Sequence, residues 1–203
     1  MHKFWLTGAA FCVLAPVLGG AARAAETPSV TPQDHVLGKA DAPVTIVEYA
    51  SLTCPHCAAF DRDTLPKIKK NWVDTGKAKL VFRIFPLNKI DVRAAVVANC
   101  VPPDRYFTFI DELFRSQDTW ARAGDPVKAV ANTGRLAGAG DDKIKSCLAD
   151  KTMEDDVINV GYKAQQTYGV ESTPTFFING IKMVGEASYA DFDKALTAAQ
   201  PKT

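Results

Sequence analysis

The stretch ASLTCPHCAAF, Ala50–Phe60, sets two cysteines three positions apart, Cys54 and Cys57, around Pro55 and His56. The residues before it, PVTIVEYAS, contain a β-branched apolar run from Val44 to Tyr49 that reads as a buried strand. Cys54 follows that strand directly. Pro55 then suits the first turn of a helix, where its missing N–H costs nothing. Strand, cysteine and helix in immediate succession decide the fold, and the rest of the chain is read around them.

Two thiols at this spacing serve as a structural staple, as half of a zinc site or as a redox couple. A staple that closes so small a ring restrains the unfolded chain very little. A zinc site needs a second close pair of ligands, and Cys100 and Cys147 are far from each other and from Cys57. A cysteine at a helix start is different. The unpaired N–H groups and the dipole there favour negative charge, so Cys54 is expected to be held as thiolate. His56 adds a positive charge or a hydrogen-bond donor if its ring faces the sulfur. Whatever stabilises the reduced, thiolate form makes the disulfide the stronger oxidant, by about 30 mV for each ~1.4 kcal/mol. Cys57, one turn further in, is the expected resolving thiol.

The helix that begins at Pro55 is expected to continue to Trp72 with a kink at Pro66. Leu80–Phe85 reads as a second strand, stopped by Pro86. From Asp91 to Lys151 helical periodicity replaces strand signals. Tyr106, Phe109, Ile110, Leu113 and Phe114 form one apolar stripe. Asp125-Pro126 looks like a cap followed by a helical first residue, opening a helix to Leu136. AGAGDD breaks that helix and leads into another containing Ile144, Cys147 and Leu148. A further stripe, Met153, Val157, Val160, Ala164 and Tyr168, ends at Gly169, a left-handed C-terminal cap. PTFFING, Pro174–Gly180, runs into an Asn-Gly hairpin turn with IKMVG as partner. Ala187–Gln200 closes the chain as a helix. The order implies a split α/β unit with a helical block inserted in its middle.

The first 24 residues read as a secretory signal peptide: basic Lys3, an apolar run and Ala22 and Ala24 as small residues before cleavage. The run is short for a membrane span and contains Pro16. Phe11 ahead of Cys12 argues against a lipoprotein. Lys3 and Arg23 leave with the leader, so 22 of 24 basic residues remain against 23 acidic, a net charge of −1. That balance offers no nucleic-acid groove, and Lys67, Lys69 and Lys70 read as a solvated helix face. In an exported, oxidising setting the four remaining cysteines are expected to pair.

VEYASLTCPHC, the helical block and GVESTPTFFING together resemble the DsbA family of periplasmic thiol–disulfide oxidoreductases, across about residues 40–199. The resemblance implies an α/β thioredoxin-like fold with an all-helical domain inserted in the middle; after the signal peptide at 1–24 and an arm at 25–41 whose Pro, Thr and polar residues read as flexible or edge-lying, the thioredoxin-like domain falls at 42–90 and 152–200 and the helical domain at 91–151. It implies that Cys54 attacks, that Cys57 resolves, and that the Thr173-Pro174 bond is cis and lies against the pair. Glu48 is costly on so apolar a strand without a partner or a task. The resemblance makes it a buried acid beneath Cys57 able to relay a proton; the alternative is a solvent-facing edge residue. Thr173 either packs inertly or offers its hydroxyl to the thiolate or a substrate. Cys100 and Cys147, left over in an exported chain, are expected to form a structural disulfide, as some family members carry in the helical lobe. Closing that 47-residue span is worth roughly 4 kcal/mol in the chain-entropy model.

The implied activity is a monomeric periplasmic dithiol oxidase of exported proteins that uses no cofactor or metal. A quinone-linked membrane oxidase of the DsbB type is the implied reoxidant. The rival readings are an isomerase or reductase on the same scaffold and a binding module without turnover. Residues 25–41 are too few for the N-terminal dimerisation domain that dimeric isomerases usually carry.

Overall fold

A computed structural model of the chain describes residues 27–201. The signal peptide reading lies outside the described residues. The first strand, β1 (His35–Leu37), lies on the edge of a five-stranded sheet, antiparallel to β3. β2 (Val44–Ala50) is central, and six of its seven residues are buried. After it come α1 (Pro55–Asp63), α2 (Leu65–Ile68), a π-helical turn (Lys69–Val73) and β3 (Ala78–Ile84). β3 returns parallel to β2, with Glu48 opposite Phe82 and Ala50 opposite Ile84. Helices cover both faces of β2, which is why it reads as an almost unbroken apolar run.

The break in the first helix falls at Thr64, two residues before the expected kink at Pro66. Pro66 has no N–H to return to the preceding turn and its ring crowds that turn, so the helix yields ahead of the proline. β3 starts at Ala78, two residues earlier than the pattern implied, because pairing with Val44 extends it; Phe85 lies just beyond its end but still donates its N–H to Ala50 at 2.8 Å.

The inserted block runs through α3 (Lys89–Ala98), a 3-10 turn (Pro103–Arg105), α4 (Tyr106–Arg115), α5 (Gln117–Ala121), α6 (Pro126–Leu136) and α7 (Asp141–Ala149). The expected stripe of α4 is buried throughout. Asp125 caps α6 by accepting the Lys128 N–H. Cys100 and Cys147 are disulfide-bonded and tie the end of α3 to α7. α8 (Lys151–Tyr168) leads back to the sheet and ends at Gly169, which is left-handed with φ of 63°. Its buried residues are Val157, Gly161, Ala164 and Tyr168, and Met153 of the expected stripe is only partly buried. Val160 is 39% exposed, and Gly161 faces inward, where an added Cβ would stand 2.8 Å from Pro86.

β4 (Thr175–Ile178) pairs antiparallel with β2, and β5 (Ile181–Val184) completes the hairpin. Asn179 and Gly180 both take positive φ, 43° and 88°, as a two-residue primed turn requires. The sheet order is β1-β3-β2-β4-β5, and α9 (Tyr189–Ala199) packs on the face that also holds Phe60, Phe176 and Phe192. The result is a thioredoxin-like fold with a helical insertion. The N-terminal arm is edge-lying. Arg83 grips it through Asp34 at 2.7 Å, with both side chains 10% exposed or less, and also donates to the Tyr49 hydroxyl at 2.8 Å.

Candidate active site

β2 ends at Ala50, and the turn Ser51–Thr53 carries the chain to Cys54, whose N–H bonds the Ser51 carbonyl at 3.2 Å. Cys54 is the N-cap of α1, with extended φ and ψ of −83° and 121°. That conformation stands the residue at the start of the helix, and its side chain makes no cap hydrogen bond. Both cysteines are unbonded thiols, Cys54 7% exposed and Cys57 fully buried. The Cys54 thiol is brought down from 9.0 to about 5. The largest cause is the hydrogen bond from the Cys57 thiol, opposed by burial and joined by the Thr173 side chain and the N–H groups of Cys57 and His56. Cys57 moves the other way. Burial pushes its thiol far above the ordinary range, and the neighbouring Cys54 and Glu48 charges add to the effect.

The Thr173-Pro174 bond is cis. The Thr173 carbonyl lies 3.4 Å from the Cys54 sulfur, and its hydroxyl is buried with no conventional hydrogen-bond partner. His56 is placed differently from the sequence-level condition. Its ring is mostly exposed and turns to Glu186, with Nδ1 3.2 Å from the carboxylate. Of His56, only the backbone N–H is among the causes that lower the Cys54 thiol, and it is the smallest of them.

Glu48 is 2% exposed on the central strand, so it is no edge residue. Burial, reinforced by the charge of Asp61, holds its carboxyl well above the usual carboxylate range. Asp61, one helical turn after Cys57, is itself raised to about 7 by burial and by Asp111 of α4. The i+4 spacing from Cys57 is a legible signal for Asp61. Two more polar residues, Asp91 and Gln117, are buried behind the turn that carries Cys54. Local pattern offers no signal for either, since the partners they find in that turn are 38 to 65 residues away.

The chain matches the thioredoxin family model over residues 30–198. It is 32% identical over 176 residues to a putative protein-disulfide oxidoreductase of Rickettsia bellii, covering 83% of this chain and 67% of that protein. Disulfide bond formation protein D of Bacillus subtilis is 30% identical over 177 residues, 82% of this chain and 75% of that one. Across the rickettsial relatives the chain spans 55% to 67% of their length. Among solved structures, Wolbachia pipientis alpha-DsbA1 superposes with a TM-score of 0.77 at 33% identity, covering 84% of this chain and 94% of that one. Oxidised BdbD of Bacillus subtilis gives 0.74 at 25% identity, with 86% and 96% covered.

Proposed function

The chain belongs to the DsbA family of thioredoxin-fold thiol–disulfide oxidoreductases, and on that premise we propose that it is a dithiol oxidase for exported proteins. One observation carries the reading: the opposite displacement of the two thiols, Cys54 down to about 5 and Cys57 up. Each unit of depression at Cys54 favours the reduced state by ~1.4 kcal/mol, equivalent to about 30 mV toward an oxidising pair.

The reaction begins from the Cys54–Cys57 disulfide. A substrate thiolate attacks the Cys54 sulfur, the intramolecular bond breaks, and Cys57 leaves with the electron pair. Buried Cys57 cannot remain an anion, so it takes a proton, and Glu48 is the acid beneath it that supplies one. The substrate's second thiol then loses its proton and attacks its own sulfur in the mixed disulfide. Cys54 departs as a thiolate held by the α1 N–H groups and Thr173. The substrate is oxidised by two electrons and the enzyme is reduced by two. Pro174 shapes the loop that brings Thr173 to the reacting sulfur.

A quinone-linked membrane oxidase of the DsbB type is the proposed reoxidant, and the protein works as a monomer in the periplasm after its leader is removed at about Ala24. The Cys100–Cys147 bond supports an oxidising compartment. Mixing oxidised protein with a reduced model substrate tests the reading. Fast stoichiometric oxidation supports it. Reshuffling of a scrambled substrate without net oxidation replaces it with an isomerase, and no reaction leaves a binding module.

A further inference from the structure

The turn that presents Cys54 is gripped from the inserted helical block on both polar sides of its backbone. Gln117 opens α5 and is 9% exposed. Its amide nitrogen donates to the carbonyls of Leu52 at 2.8 Å and Cys54 at 3.0 Å. The second of these is the carbonyl of the attacking residue itself, which also accepts the Ala58 N–H at 3.2 Å. Asp91 in the first turn of α3 is fully buried. It accepts the Ser51 hydroxyl at 2.7 Å, the Thr53 N–H at 2.9 Å, the Thr53 hydroxyl at 3.1 Å and the Leu87 N–H at 2.9 Å. Asn88 adds a bond to the Thr53 hydroxyl at 2.9 Å.

A buried carboxylate is tolerated when its oxygens are filled with donors, and these come from two segments about 35 residues apart in sequence. Such a network fixes peptide planes. The planes it fixes are those of residues 51–54, whose orientation sets where the Cys54 sulfur stands at the start of α1. A hydrogen bond to an anion weakens steeply with misalignment, so a small rotation of this turn is felt at the sulfur.

We infer that Gln117 and Asp91 are positioning residues of the redox pair: from the inserted block they lock the 51–54 backbone and so hold the Cys54 sulfur in register with the start of α1. The inference rests on the oxidase reading of Cys54 and gives the helical insertion a direct part in setting the poise of the pair.

The test measures two quantities on the full chain, the apparent Cys54 pKa from thiolate absorbance and the equilibrium constant with glutathione. Gln117→Met keeps length and volume and removes both donors. Ser51→Ala removes one donor from the Asp91 side and carries the test if Gln117→Met does not fold. Trp120→Phe is the control: it loses the 2.7 Å bond to the Leu113 carbonyl within the same block and removes no hydrogen bond of Gln117 or Asp91. Gln117→Met is expected to raise the pKa and shift the glutathione constant about three- to tenfold toward a more reducing pair. Ser51→Ala shifts both less, in the same direction, and Trp120→Phe lowers only the melting temperature. Wild-type values in the first two variants, or an equal shift in Trp120→Phe, overturn the inference alone. An ordinary Cys54 titration in the wild-type protein overturns the oxidase reading and the inference together.

Discussion

The hydroxyl of Thr173 is buried with no conventional partner while the carbonyl of the same residue stands 3.4 Å from the Cys54 sulfur. An unsatisfied buried hydroxyl costs ~1–3 kcal/mol, and a sulfur anion at Cys54 offsets that cost by accepting it. Thr173→Val removes the hydroxyl at constant shape. It is expected to raise the Cys54 pKa by about one unit and make the pair more reducing by ~30 mV, with folding stability unchanged or higher. Titration of thiolate absorbance reads the shift. An unmoved pKa would assign the hydroxyl to substrate contact instead.

Redox state and acidity are linked through Cys54. Its folded pKa of about 5 lies below the ordinary 9.0, so its contribution to the reduced protein is complete above the unfolded value. The contribution is lost as pH falls and is gone below the folded pKa. The oxidised protein has no thiol and lacks it. Below pH ~8 the Cys57 thiol is neutral whether folded or unfolded and drops out of the comparison. The melting temperature of the reduced form minus that of the oxidised form should therefore shrink steadily from pH ~8 toward about 5. Calorimetry of both forms checks it, and a gap that ignores pH would mean that Cys54 is not held as an anion.

The elements around the cysteine pair are legible because local rules agree there. A β-branched run, a proline at the first helical position, an Asn-Gly turn and the α4 stripe each specify one conformation and meet no tertiary opposition. Illegibility begins where a distant partner decides. His56 turns to Glu186, 130 residues on, which no CPHC pattern foretells. Gly161 faces inward and Val160 outward because Pro86 presses on that side of α8. Asp91 resembles an ordinary first-turn acid, and Gln117 an ordinary polar residue after a helix; the partners that set them apart come from the folded turn of 51–54. The family resemblance supplied what local physics did not, including the cis bond before Pro174 and a buried position for Glu48.

The Cys100–Cys147 bond joins the end of α3 to α7, and both residues are buried. Replacing both with alanine is expected to cost up to about 4 kcal/mol, or roughly 10 °C in melting temperature. The glutathione constant of Cys54–Cys57 should stay within about twofold, since neither residue bonds the 51–54 turn. Thermal unfolding and a redox equilibrium on the same sample decide it. A larger redox shift would make the second disulfide a modulator rather than a brace.

Glu48 bears on both stability and rate, and the two effects separate by pH. Burial and Asp61 raise its folded pKa well above 4.5, so the protein is favoured below the unfolded value and loses that advantage as pH rises through the folded one. Glu48→Gln stays neutral throughout. Its stability relative to wild type should therefore increase with rising pH above 4.5, which urea titrations at several pH values would show. The amide cannot hand a proton to Cys57, whose buried thiol resists leaving as an anion. Single-turnover oxidation of a reduced peptide should slow by roughly 10- to 100-fold in Glu48→Gln. The decline in proton supply expected of wild type as Glu48 ionises should also disappear. A variant that oxidises the peptide at the wild-type rate and with the wild-type pH profile would make Glu48 a packing residue, and Cys57 would then take its proton from solvent.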